Sequence, residues 1–127
     1  MDTYIRFQTQ LRCRYTARPA GIFVAAGRIE DRTNTPDVTR DRLREICTWF
    51  NRNLIAPSLD DSDWRCIFWF RSYSQSVVCR LWELAHLLED EGVFVTQVRT
   101  SQPGMIVYQD EHKVDAVPRR KKHALRV

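Results

Sequence analysis

The chain has 127 residues and a mass of 15.1 kDa, one domain's worth of chain and enough to bury an apolar core without staples. With 43% hydrophobic and 28% charged residues, its composition excludes wholesale disorder. No apolar run approaches the roughly 18–20 residues of a membrane helix. The start, MDTYIRFQ, lacks a basic region followed by an apolar one, so it does not read as a secretory signal. The expected setting is the cytoplasm, with no membrane contact.

Twenty Lys and Arg against 16 Asp and Glu give a formal charge of +4 and a pI near 9.1. The excess is not spread evenly. Arg119, Arg120, Lys121, Lys122 and Arg126 follow Pro118, and no acid follows them. Without them 15 bases face 16 acids, a net of −1. The expected organisation is therefore a near-neutral domain over 1–118 and a basic tail over 119–127.

From Tyr4 to Tyr15 the odd positions include Ile5, Phe7, Leu11 and Cys13, and the even ones Arg6, Gln8, Gln10, Arg12 and Arg14. Period-two alternation over this length predicts a strand with one wet face. Pro19 and Gly21 break it. From Ile22 to Glu30 two patterns overlap, a helical stripe of Ile22, Ala25, Ala26 and Ile29 and an alternation of Ile22, Val24 and Ala26, and the alanines favour the helix. Thr35-Pro36 reads as an N-cap and first helical residue. Behind it Leu43, Ile46, Cys47, Phe50 and Leu54 form an amphipathic face that Pro57 closes.

Cys66 to Phe70 is apolar on both parities and predicts a central strand covered on both faces. Ser74 or Ser76 caps a third helix, with Val77, Val78, Leu81, Ala85 and Leu88 as its buried stripe. Gly92 then takes the residue after the cap, with Val93 behind it. Short strands are expected over Val93 to Thr100 and Met105 to Gln109, joined through Gln102-Pro103-Gly104, which suits a type II turn. Lys113 to Val117 makes a last strand. The expected fold is α+β, a single mixed or antiparallel sheet with about three helices mainly on one face, in the order β-α-α-β-α-β-β-β. The Arg-bearing face of the first strand is then the open face, or that strand is an edge.

Chemistry is sparse. Cys13, Cys47, Cys66 and Cys79 have no metal-site spacing and read as reduced, buried small hydrophobes. Asp60, Asp61 and Asp63 fail the calcium-loop pattern, with Arg65 at the sixth position and Arg71 at the twelfth. Asp110, Glu111 and His112 put two acids beside an imidazole, but strand neighbours point apart and a polar corner is the better reading. His86, mid-helix, reads as a partly buried structural residue. No Gly-rich phosphate loop, nucleophile elbow or H-E-x-x-H is present. The expectation is a non-enzymatic protein with no cofactor and no metal.

The run Pro103-Gly104-Met105-Ile106-Val107-Tyr108-Gln109-Asp110-Glu111-His112, continuing to Ala116-Val117-Pro118, resembles the C-terminal segment of small bacterial proteins without assigned function. Tyr4-Ile5-Arg6-Phe7, Trp49-Phe50-Asn51 and Ile67-Phe68-Trp69-Phe70 fit the same order of blocks. The resemblance implies an α+β domain and brings no catalytic residue, cofactor or partner.

Two binding roles follow from the residues. The first is contact with nucleic acid or another polyanion through Arg6, Arg12, Arg14 and Arg18 with Arg119, Arg120, Lys121 and Lys122, driven by counterion release. The alternative is a protein-interaction or assembly subunit, a homodimer, using Trp49 and Trp82 and the sheet edge.

Overall fold

The alternation that begins at Tyr4 becomes the strand around which the sheet is built. The chain is seen in a computed structural model that describes residues 2–12, 19–54 and 66–119. Strand β1 (Tyr4–Arg12) pairs antiparallel with β4 (Val95–Thr100) from Tyr4 to Thr9. On its other side β3 (Ile67–Arg71) meets only Tyr4 and Ile5. There β2 (Pro19–Gly21) takes over at Gln8 and Arg12. Next to β3 comes β6 (Lys113–Val117), and β5 (Met105–Gln109) completes the sheet as its last strand. Every pairing is antiparallel.

The element order matches the expected one apart from β2, where only a chain break was expected. Three residues that include Pro and Gly carry no period, so β2 leaves no pattern to read. Pro19 is tolerated because it is the first residue of a short outer strand.

Among the described residues three helices cover one face. Helix α1 (Ile22–Asp31) buries Ile22, Ala25, Ala26 and Ile29. Helix α2 (Asp37–Asn53) buries Leu43, Ile46 and Phe50. Helix α3 (Gln75–Asp90) buries Val77, Leu81, Leu84, Ala85 and Leu88. These side chains meet Ile5, Phe7 and Phe70 of the sheet in one core cluster. Tyr4, Trp69, Val114 and Ala116 form a second, smaller cluster on the opposite face, with Ile67 and Val98 against it.

Helix ends depart from expectation at the N-terminal side. Neither Thr35 nor Ser74 caps a helix with its side chain. Pro36 occupies the α2 cap position, and Thr35 Oγ1 instead donates to the Ile29 carbonyl at 2.6 Å. That bond ties the end of α1 to the start of α2. Ser74 Oγ donates to the Glu111 carbonyl. The C-terminal expectation for α3 agrees. Gly92 has φ of 85°, its N–H reaches the Glu89 carbonyl, and the Val93 N–H reaches Leu88, the two bonds of a Schellman motif.

Strand β3 is covered on both faces only in its second half. Trp69 and Phe70 are buried, but Phe68 is 42% exposed.

The link between β4 and β5 sets the sheet's shape. These strands are consecutive in sequence yet lie on opposite edges, with β1, β3 and β6 between them. Four flat inter-strand spacings would be about 19 Å. The five steps from Thr100 to Met105 reach at most about 18 Å when fully extended. The sheet must therefore coil to bring its edges within reach, and the link crosses the face opposite the helices. Ser101 to Gly104 duly line a hollow with Ile67, Trp69 and Pro118 on that face.

Gly104 is where this crossing is tightest. Its φ is 119°, and a Cβ there would stand 2.3 Å from the Val117 carbonyl oxygen. Gly92 also has positive φ but nothing lies within 4 Å of a Cβ built on it. Gly92→Ala should cost about 1 kcal/mol, the backbone term alone. Gly104→Ala should cost about 2–4 kcal/mol, since backbone must move as well. Urea midpoints of the two variants check this, and equal losses would refute the close approach.

Candidate functional site

The Arg-bearing strand residues do not form an open cationic face. Arg6 alternates with Ile5 and Phe7 and so shares its side of β1 with Tyr4, at a cleft that Gly21 and the α1 residues Ile22, Phe23 and Val24 also line, and β1 is an interior strand, not an edge. Its guanidinium is engaged locally, with Nη1 donating to Gln8 Oε1 and Nη2 to the Pro19 carbonyl, both at 3.3 Å. Arg12 is exposed at the end of β1, where its carbonyl accepts from Arg28 at 2.8 Å. Arg119 is exposed and lines the hollow under the β4–β5 link. Arg14, Arg18, Arg120, Lys121 and Lys122 lie outside the described residues, as do Cys13, Asp60, Asp61 and Asp63.

The two interaction tryptophans sit on the helix layer, on the other side of the sheet from Arg6. Trp82 is 43% exposed and meets Phe7 edge-on at 4.8 Å. Trp49 packs against the core, edge-on to Phe50 at 5.2 Å, with the Arg80 guanidinium 5.3 Å from its ring centre. Arg6 thus does not share a surface with Trp49 and Trp82, and the cation that does meet Trp49 is Arg80.

The remaining candidates are separated too. His86 is exposed, not partly buried, and faces Trp82. Cys79 is exposed as well, while Cys47 and Cys66 are half-buried. Burial pushes the Cys47 thiol up, with the charge of Glu30 adding to it. Among the described residues no three His, Cys, Asp or Glu side chains gather as a metal set. No helix there is long and apolar enough to cross a membrane.

Asp110, Glu111 and His112 form a corner, not a convergent group. The Asp110 carboxylate accepts from the backbone N–H of His112 at 2.8 Å, that of Lys113 at 3.0 Å, and the Tyr108 hydroxyl at 2.9 Å. Glu111 points to solvent, 3.5 Å from His112 Nε2. Burial, the largest single influence, pushes the Asp110 acid up. The three hydrogen bonds and the Lys113 charge together outweigh it and hold the acid below its ordinary value. The Tyr108 hydroxyl is raised by the same bond, seen from the donor side.

Three charged residues that the sequence does not single out are buried. Arg71, the last residue of β3, reaches Asp110 O, Asp2 Oδ2 and Gln109 Oε1 at 2.8, 3.0 and 3.0 Å. It anchors the start of β1 to the end of β5. Lys113 and Asp115 are 3% and 0% exposed and pair in bidentate fashion, Nζ to Oδ1 at 3.0 Å and to Oδ2 at 2.9 Å. Burial pushes the Asp115 acid up more than the Lys113 contact draws it down. Their spacing of two puts them on one face of β6, a signal visible in the sequence. That this face is the helix-covered one is not.

The two sheet edges differ in chemistry. β4 presents Thr96, Gln97, Arg99 and Thr100 with only Val95 and Val98 apolar. β5 reads MIVYQ without a charge. Met105, Ile106 and Val107 are 56%, 41% and 39% exposed in succession. Beside them opens the hollow of about 630 Å³ that Ile67, Trp69, Ile106 and Pro118 line.

Asp110 offers a pH test. Its folded-state acid is lowered, so its stabilisation is present in full above the ordinary value of 3.8 and is lost as pH falls through the folded value. Asp110→Asn should therefore unfold at lower urea than the parent at pH 7. The gap should close as pH falls below the ordinary value of 3.8 and through the lowered folded one, and a gap that widens would contradict the assignment. No protein-family model, curated protein or solved structure matches this chain.

Proposed function

We propose that the chain is a non-enzymatic interaction module that assembles with a second copy of itself through the outer edge of β5. The observation that carries this is the run of three exposed apolar residues, Met105, Ile106 and Val107, on an uncharged outer strand. An outer strand presents unpaired N–H and C=O groups, and proteins that stay apart blunt such edges with charge. β4 carries Arg99 in that role, and β5 has no equivalent. Two β5 strands running antiparallel about a twofold axis would satisfy each other's backbone groups and join the two sheets. The bulge between Ile106 and Tyr108 confines the shared pairing to a few residues. The neighbouring hollow beside Trp69 supplies apolar surface in addition. The free thiols Cys47 and Cys79 fit a reducing setting such as the cytoplasm.

Sedimentation velocity at tens of micromolar tests the assembly. The parent should run as a dimer. Met105→Lys with Val107→Lys should weaken it about tenfold or more, because like charges then face each other across the new pair. A monomeric parent at that concentration would sink the proposal.

A second reading rests on the charge division, with a net of −1 before Arg119 and +5 from it onward. Polyanion contact would fall to the tail, since Arg6 is committed to Gln8 and Pro19. Removing residues 119–127 should lower affinity for a nonspecific duplex. It should also flatten the salt dependence by up to about 4.5 in logarithmic slope, roughly 0.9 for each of five cations. Equal affinity with and without the tail would end this reading.

A further inference from the structure

A second cavity lies on the helix-covered face, away from the β5 edge and independent of it. It holds about 210 Å³. Phe23, Phe50, Leu54, Phe68 and Phe70 give it apolar walls, the exposed Asn51 adds an amide, and among the described residues Lys113 is the only charged one lining it. The walls are rings set edge to face. Phe23 meets Phe50 at 4.9 Å and Phe70 at 6.1 Å. A cavity of about 150 Å³ takes benzene, so this one admits a ring with a short substituent.

The ammonium in the wall selects the ligand's chemistry. Lys113 has three N–H groups and two oxygen contacts, both to Asp115. Among the described residues no other oxygen accepts from it. What else it meets is aromatic, the Phe68 ring at 4.5 Å and the Tyr108 ring at 5.3 Å. A ligand oxygen could therefore gain a charge-assisted hydrogen bond. The pair is already balanced in charge, and Asp115 is wholly buried. A ligand carboxylate would add an uncompensated negative charge to a desolvated site, and an amine would face the ammonium directly. A neutral carbonyl avoids both penalties.

We propose that this cavity binds a small, flat, uncharged molecule with one carbonyl oxygen, which accepts a hydrogen bond from Lys113 while its ring lies among the phenylalanines. Three probes of similar shape separate the chemistries. They are acetophenone, α-methylstyrene (methylene in place of the carbonyl oxygen) and benzoate. Titrated into the full-length protein and followed by NMR, acetophenone should give saturable shifts at Phe23, Phe50, Leu54, Phe68 and Lys113. It should bind about tenfold more tightly than α-methylstyrene, the value of a hydrogen bond to a charged donor, and more tightly than benzoate. Lys113→Met should abolish the preference for acetophenone and leave α-methylstyrene binding in place. If that variant does not fold, the comparison of the three probes on the parent decides alone. Equal affinity for acetophenone and α-methylstyrene, tighter benzoate, no saturable shift, or shifts centred on Met105 to Val107 would each overturn the proposal.

Discussion

Everything in this fold hangs on β1 being paired along both sides. It is the one strand in contact with three others, and its alternation sends Ile5 and Phe7 into the helix-covered core and Tyr4 into the smaller cluster behind. A one-residue slip would exchange these faces, burying Arg6 and exposing Phe7. Register is thereby fixed at the centre of the sheet and passed outward through β3 and β4. Arg6 also serves this arrangement, since its bond to the Pro19 carbonyl holds β2 against β1.

The same strand explains where the surface features fall. β3 and β2 share one side of β1, and they divide it between Ile5 and Gln8. β3 leaves β1 after two paired residues, and Phe68 lies on the part of β3 that has parted from it. The aromatic cavity with Lys113 in its wall is the space left beneath. On the far side the β4–β5 link crosses the sheet and covers Trp69. β5 itself is left outermost with its apolar residues uncovered. Edge and cavity thus arise from one topology.

The buried charges fit this picture better as positioning devices than as sources of stability. Burying an ion pair costs about as much desolvation as its attraction returns, and the raised Asp115 acid reflects that cost. Lys113 and Asp115 are each other's only hydrogen-bonded ion-pair partner among the described residues, so a shifted β6 would break the pair and leave both charges buried. Arg71 acts likewise, gathering Asp2, Gln109 and the Asp110 carbonyl at one end of the sheet. Such groups penalise alternative registers in a sheet that must coil.

Periodicity made the local structure legible from the residues alone. The period of two over Tyr4 to Arg12, the helical stripes of α1, α2 and α3, and Gly92 with Val93 all stand in the sequence, because each is a relation between residues a few positions apart. The charge division at Pro118 is equally plain. Tertiary structure decided which strands are neighbours. Val95 to Thr100 and Met105 to Gln109 look like adjacent strands joined by a turn, yet β1 and β6 claim them and they end on opposite edges. Burial of Lys113, Asp115 and Arg71 was decided there too, as was the separation of Arg6 from Trp49 and Trp82. A side chain's parity fixes which others share its face. Only the packing of distant elements fixes whether that face meets helices, a crossing loop or water.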